Sequence, residues 1–493
     1  MDLDALLLSR LQFAFTISFH IIFPVFTIGL ASYLAVLEGL WLRSGDDKYQ
    51  RLYDYWVKIF AISFALGVVS GIVMSYQFGT NWSRFSQATG NILGPLLGYE
   101  VLTAFFLEAS FLGIMLFGRR LVGPGLHFFA TCVVAFGTLV SAFWILAANS
   151  WMQYPTGHEL RDGVFYAVDW WAIVFSPTFP YRFIHMVMAS YLTTAFVVAG
   201  VAGYLLLRRR ALQESVTMLK MALGLIAILA PLQLIAGHEH GLSVYQTQPT
   251  KLAAMEGHWE TWQGNAPLIL FAWPDEKTQS NLYEFKIPDI GSLIVTGDAD
   301  GVITGLKNWP AEDRPNVAVV FWAFRVMVGL GFLMIIYGLF GAWAAWFGRI
   351  EKMRWFQALL VPMLPSGFIA VLAGWITAEV GRQPYTVYGL LRTADSVSPV
   401  SGEQVALSLA VFIVVYAIVF TAGVVYMGQI AAAGPNPDDA PPAKPRQRVE
   451  KTSPKVDDKT PQTMKAIADQ LQNAEKTGTK TAPGLEVTSN GNA

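Results

Sequence analysis

Residues 11–42 read LQFAFTISFHIIFPVFTIGLASYLAVLEGLWL, apolar on every face of any helix they could form. A stretch of that kind is too long for a soluble core helix and long enough to cross a hydrocarbon layer, which needs about 20 residues. Eight further stretches meet the same length: 54–79, 94–118, 125–150, 180–207, 218–240, 316–347, 357–379 and 405–430. Together they predict an all-α polytopic membrane protein with nine transmembrane helices. Asp2 and Asp4 precede the first span and no basic segment does, so it is expected to remain as a membrane helix rather than be cleaved as a signal peptide.

The composition agrees. Of 493 residues, 54% are hydrophobic and 14% charged, where soluble domains carry nearer a quarter. The charge is concentrated: residues 434–493 hold 17 of the 69 Asp, Glu, Lys and Arg. This divides the chain into a membrane domain, 1–433, and a solvated tail, 434–493, whose Pro, Lys, Asp, Thr and Gln predict a disordered cytoplasmic segment with at most a short helix over 464–472. A net charge of −1 gives no basic field for nucleic acid. The single cysteine, Cys132, excludes intrachain disulfides, thiolate zinc sites, iron–sulfur clusters and thioether-attached haem. A redox metal here must rest on His, Met or carboxylate.

Lys and Arg accumulate in cytoplasmic loops, which sets the orientation. The short loops after spans 1, 3, 5 and 7 hold Arg43, Lys48, Arg51, Arg119, Arg120, Arg208, Arg209, Arg210, Lys220, Arg349, Lys352 and Arg354. The opposite side holds Arg10, Arg84, Arg161, Arg182, Arg382 and Arg392. The N-terminus is therefore expected outside and the C-terminus inside. The long connection 241–315 then lies outside, and Trp259, Trp262, Trp273 and Trp309 argue that it is ordered.

Ionisable groups at membrane depth are costly and so are functional candidates. His20 is followed four residues later by Pro24, which cannot donate to its carbonyl; it reads either as an axial haem ligand or as a histidine bonded to a neighbouring helix. His185, with Ala189 one turn on, reads as a ligand or an interfacial histidine. Met327, two residues after Arg325 and near Gly329 and Gly331, reads as packing or as a haem ligand, because an intramembrane guanidinium needs an anion such as a propionate or a quinol oxygen. Glu379 precedes Arg382 and Gln383 and could form a plain ion pair. Glu100 and Glu108 share span 3 at i and i+8, about 80° apart around the helix and 12 Å along it, and read as a proton relay or as polar contacts between helices. Lys251 and Glu256, on pattern alone, read as surface charge. His238 and His240 in AGHEHG diverge on a helix, against a metal site, and His127, His158 and His258 have no comparable context. With the inferred topology, His20, His185, Met327, Glu379 and Glu100 lie in the outer half and Glu108 points inward, an arrangement suited to drawing protons from inside.

LSRLQFAFTISFHIIFP around His20, the paired glutamates, the His185 segment, K-x-x-x-x-E at 251–256, FWAFRVMVG and GWITAEVGRQPY jointly resemble subunit I of the cytochrome bd-type quinol oxidases over residues 1 to about 430. The resemblance implies a low-spin haem b between His185 and Met327 with Arg325 beside it. It also implies a high-spin haem b and a haem d, or a third haem b in its place, sharing the His20 and Glu379 region with Trp375, Arg382 and Gln383. It makes Lys251 and Glu256 the quinol-site pair and Glu100 and Glu108 the proton path. It implies a second membrane subunit and a small single-span accessory subunit as partners, ubiquinol or menaquinol and O2 as substrates, and a bacterial cytoplasmic membrane. Tyr385 stands where the family motif often has Trp, and the short outer connection resembles the short-loop, cyanide-insensitive branch. A haem–copper oxidase is excluded by histidine count, since only His20 and His185 lie well inside spans. A haem-free proton-coupled transporter using Glu100, Glu108 and Glu379 is the remaining alternative.

Overall fold

The computed structural model describes residues 4–436; the tail and its short helix at 464–472 lie outside the described residues. Fourteen α-helices occur among them. In chain order they are α1 (Ala5–Ser44), α2 (Asp47–Thr80), α3 (Ser83–Glu100), α4 (Phe106–Phe117), α5 (Pro124–Gln153), α6 (Trp170–Val174), α7 (Phe179–Leu207), α8 (Leu212–Thr247), α9 (Pro249–Glu256), α10 (Ile290–Thr296), α11 (Val317–Trp346), α12 (Arg354–Met363), α13 (Ser366–Val380) and α14 (Gly402–Ala433). They supply nine stretches long and apolar enough to cross a membrane, in the predicted order. Span 3 joins α3 to α4, and span 8 joins α12 to α13 across a break at Leu364 and Pro365.

Local chemistry sets several of these limits. The Asp4 side chain accepts from the backbone N–H of Leu6 and Leu7 and caps α1, and Gly45 ends it in the left-handed region at φ 67°. Pro24 does not interrupt it: α1 runs on through the position where the sequence suggested loosening, and the cost is confined to the carbonyl that proline leaves without its N–H.

Span 3 departs from expectation more usefully. Val101–Phe105 forms a π-helical turn between α3 and α4. Such a turn absorbs about one extra residue, so Glu100 and Glu108 stand roughly 20° apart in place of 80°. Both accordingly meet one face of α5: Ser141 Oγ donates to Glu100 Oε1 at 2.8 Å, and Glu108 Cγ lies against Gly137, one turn from Ser141.

α7 is the central helix, with most of its apolar stretch buried, while α11 and α14 leave most of theirs exposed on the outside of the bundle. Glycines let backbones close in around it. A methyl group on Gly203 would sit 2.7 Å from the Gln357 carbonyl oxygen of α12, one on Gly29 of α1 would meet Thr194 and Ser190, and one on Gly367 of α13 would meet Thr193. The single main cluster of buried side chains runs from Leu30, Leu34 and Leu37 of α1 through Trp56 and Phe60 to Phe196 and Leu223.

Helices account for the membrane part, but the molecule is not helical throughout. Four two-stranded antiparallel ribbons occur in the connections among the described residues. The outer connection begins later than 241, because α8 continues to Thr247; it then holds α9, α10, a 268–275/280–287 hairpin and a 262–263/302–303 pair. Its ordering rests on contacts such as Trp259 Nε1 donating to Asn281 Oδ1 at 3.0 Å.

Gly203→Leu should lower the thermal midpoint, at a cost of about 1–3 kcal/mol for forcing α7 from α12. Gly224→Leu on α8, where a methyl group meets nothing within 4 Å, should shift it far less; equal shifts would remove the close-packing account.

Candidate haem and quinol site

The outer ends of α5, α7, α9 and α13 converge on one carboxylate. Glu379, near the end of α13, accepts at Oε1 from Asn149 Nδ2 (3.1 Å) and Gln153 Nε2 (2.9 Å) of α5, and its Oε2 pairs with Arg382. Arg182 of α7 lies 3.9 Å from Oε1 and bonds to Asn149 Oδ1. The simple Glu379–Arg382 pair read from sequence is present, inside a larger cluster. Two guanidiniums face one carboxylate, which leaves a surplus of positive charge in a buried place.

Gln153 carries this cluster outward. Its Oε1 accepts from Lys251 Nζ at 2.6 Å and from Gln248 Nε2 at 3.1 Å, while its Nε2 donates to Glu379. The aliphatic stem of Lys251 lies where a side chain on Gly381 would stand, with Cγ 2.7 Å from that Cβ position. Burial holds the Lys251 ammonium well below the ordinary lysine range; Arg182 and Arg382 push the same way, and Glu379 opposes them. This lysine is thus no surface charge.

Lys251 and Glu256 do not touch. Five residues apart on α9, they point in different directions, Lys251 to Gln153 and Glu256 to α11. There Arg325 Nη2 donates to Glu256 Oε2 at 3.1 Å and to the Ile269 carbonyl at 2.6 Å, and the guanidinium lies over the Phe321 ring at 4.6 Å. The anion that Arg325 requires is supplied by Glu256. Just beyond, His258 is buried, and burial lowers its imidazole pKa against the opposing pull of Glu256.

Three of the four expected iron ligands, His20, His185 and Met327, each face a glycine on another helix. A methyl group on Gly71 of α2 would lie 3.2 Å from His20 Cε1, one on Gly237 of α8 would lie 3.2 Å from His185 Cε1, and one on Gly374 of α13 would lie 2.8 Å from Met327 Sδ. Ser70 Oγ donates to the Leu66 or Gly67 carbonyl, so its contact of 2.9 Å with His20 Nδ1 is best read as the imidazole donating, which leaves Nε2 with a free lone pair. His185 Nδ1 is buried with no hydrogen-bond partner. The residues therefore fit a metal-centred planar group. At Gly329 and Gly331 a methyl group would meet nothing within 4 Å among the described residues, so both positions are open. Trp375 packs among Leu146, Phe179 and Met186, and Gln383 accepts from Thr393 Oγ1 at 2.7 Å. His238 and Glu239 are exposed on α8, whereas His240 packs against His185 with ring centres 5.7 Å apart.

Asn149, Gln153 and Arg182 were missed by the sequence reading. Arg182 was counted only as a loop charge, although it lies three residues before His185; the two amides carry no charge to mark them. Replacing Glu379 by Ala should strand two buried guanidiniums and cost about 3–5 kcal/mol, seen as a lower thermal midpoint. The exposed Glu239→Ala should leave the midpoint where it is, and equal effects would refute the cluster's structural weight.

Residues 8–435 match the family model described as cytochrome bd terminal oxidase subunit I. The chain is 34% identical to the cytochrome bd-II ubiquinol oxidase subunit 1 of Escherichia coli, over 88% of this chain and 97% of that one. It is 36% identical to the cytochrome bd ubiquinol oxidase subunit 1 of Bacillus subtilis, over 84% and 91% respectively. The solved bd oxidase of Geobacillus thermodenitrificans superposes with a TM-score of 0.80 at 32% identity, covering 87% of this chain and 99% of its own. With this family match over most of its length, these relatives and the helix order, the chain belongs to the cytochrome bd terminal oxidase subunit I family.

Proposed function

We propose that this chain is the haem-bearing subunit of a terminal respiratory oxidase of the bacterial cytoplasmic membrane, a quinol:oxygen oxidoreductase that oxidises quinol at the outer face and reduces O2 to water. The Escherichia coli and Bacillus subtilis relatives named above are ubiquinol oxidase subunits; for this chain the substrate class is a membrane quinol, ubiquinol or menaquinol. The observation that carries the reading is the bridge from Lys251 through Gln153 to Glu379, which joins the outer quinol element to the buried carboxylate without a break.

His185 and Met327 would hold a low-spin haem b, with Arg325 at its edge. His20 and Glu379, with Trp375, Arg382 and Gln383, would hold a high-spin haem b and a haem d. Glu379 spends three of its roughly four lone-pair positions on Asn149, Gln153 and Arg382 and retains one. The surplus positive charge around it suits a group bearing carboxylates. When bound, the haems pass single electrons between a two-electron donor and a four-electron acceptor.

The chain's own residues govern protons. Glu256, held against Arg325, takes a proton from the quinol hydroxyl on the outer side. Lys251 ties the same element to the Glu379 cluster. Glu108, the deeper of the two, and Glu100, nearer the outside, share one face of span 3, with Ser141 bonded to Glu100, and form the uptake path from the inner side. Protons released outside and drawn from inside separate charge without pumping. A second membrane subunit and a small single-span subunit complete the assembly. The transporter alternative rests on the buried glutamates alone and leaves the glycine-faced histidines and methionine without a purpose.

In the assembled oxidase, Lys251→Ala and Glu256→Ala should lower quinol oxidation by on the order of 10²-fold while an artificial one-electron donor still supports oxygen consumption. Equal loss with both donors would sink the quinol assignment. Met327→Leu should convert the low-spin haem spectrum to a high-spin one and shift its midpoint potential; an unchanged reduced-minus-oxidised spectrum would remove Met327 as a ligand.

A further inference from the structure

The inner end of the bundle, on the side marked by its lysines and arginines, buries a second set of ionisable groups that the reading above leaves unused. Glu38 of α1 is 1% exposed and His127 of α5 is 2% exposed. His127 Nδ1 lies 2.5 Å from Glu38 Oε1, Thr131 Oγ1 donates to Glu38 Oε2 at 2.6 Å, and Tyr53 OH of α2 lies 3.1 Å from Thr131 Oγ1. At the rim, Arg119 covers the Tyr53 ring at 4.5 Å and pairs with Asp54 at 3.6 Å.

Depth and direction connect this cluster to Glu108. Tyr53 OH reaches the Met115 carbonyl at 3.4 Å, and Met115 follows Glu108 by seven residues, two turns or about 10 Å along the same face of span 3. Thr131 precedes Gly137, the residue against Glu108, by six residues of α5, about 9 Å. Both helices therefore place the cluster the same distance inward of Glu108. A few hydrogen-bonded waters, about three at ordinary spacing, would span the interval.

Two observations favour a relay over a structural clasp. Apolar side chains could join α1 to α5 here at lower cost than a buried carboxylate, since the surrounding layer is Leu34, Leu37 and Val134. Moreover, His127 Nε2 and Glu108 Oε1 are both buried without a hydrogen-bond partner, so each end of the route has an unused polar atom.

We propose that Glu38 and His127 form the inner proton-collecting station that feeds Glu108, an inference that rests on the inward uptake path assigned above. A proton from the inner water adds to His127 Nε2, and the Nδ1 proton passes to Glu38 Oε1. After rotation of the carboxyl group, Glu38 gives a proton to Thr131 Oγ1 as Thr131 gives its own to Tyr53 and Tyr53 releases its own toward Glu108. One proton enters and one leaves; the hydroxyls reset by rotation, and the imidazole resets by tautomeric exchange, giving up its Nε2 proton to water and regaining one at Nδ1.

The test uses the complete oxidase in vesicles with its inner face toward the lumen, following luminal proton loss with a trapped pH dye as the reduced enzyme meets O2. Glu38→Gln and His127→Gln should each slow proton uptake by on the order of tenfold or more, with an enlarged solvent deuterium effect, an unchanged haem spectrum and recovery in Glu38→Asp. If Glu108→Gln slows uptake while Glu38→Gln and His127→Gln do not, the collecting station is refuted and the path stands. If Glu108→Gln leaves uptake unchanged, the path fails and the inference with it. Should Glu38→Gln not assemble, Thr131→Val must show the same slowing, and an unaltered rate there overturns the proposal.

Discussion

Everything at the outer end of this bundle depends on keeping one carboxylate charged where water is scarce. Glu379 achieves it with four partners drawn from three elements: Asn149 and Gln153 of α5, Arg182 of α7, and Arg382 just beyond its own helix. None of these partners could move far without stranding a charge, because a buried guanidinium or carboxylate without its counterpart costs several kcal/mol. The cluster therefore fixes the relative heights of α5, α7 and α13. It also fixes α9, since Gln153 has one amide end on Glu379 and the other on Lys251.

Much of this was legible in the sequence. Nine apolar stretches define nine spans because hydropathy needs no tertiary information, and the loop charges orient them. His20, His185, Met327 and Glu379 stand out because a polar or soft atom at membrane depth is conspicuous. What the sequence hides is directional. The π-turn at Val101–Phe105 has no residue signature, yet it decides that Glu100 and Glu108 share a face. Lys251 and Glu256 form one motif on paper, whereas on α9 they serve two different neighbours. Glu38 and His127 are 89 residues apart, so each looks incidental until helices α1 and α5 are brought together.

The glycines illustrate the same limit. Gly329 and Gly331 stand out near Met327 because they are close in sequence, and both are open among the described residues, but neither reveals what packs on the thioether. Space beside a helical side chain is also set by whichever helix packs across it, and for Met327 that helix presents Gly374, 47 positions further on. His20 with Gly71 and His185 with Gly237 repeat the arrangement. In each case the small residue lies on the partner helix, since a methyl group there would occupy the volume that the ring or thioether needs in order to turn.

Charge, finally, is distributed by depth in a way that apolar packing alone would not require. Outside, the Glu379 cluster carries a positive surplus, with Arg182 and Arg382 against one carboxylate. Toward the inside, Glu108 and Glu38 meet no arginine or lysine among the ion pairs of the described residues; Glu38 is paired with His127. A positive outer end suits anionic groups, whereas no guanidinium clamps the carboxylates further in: Glu38 is held by His127 and Thr131, and Glu108 lies against Gly137. The polarity of the bundle thus follows from which carboxylates are clamped by arginine and which are left to histidine, hydroxyl and water.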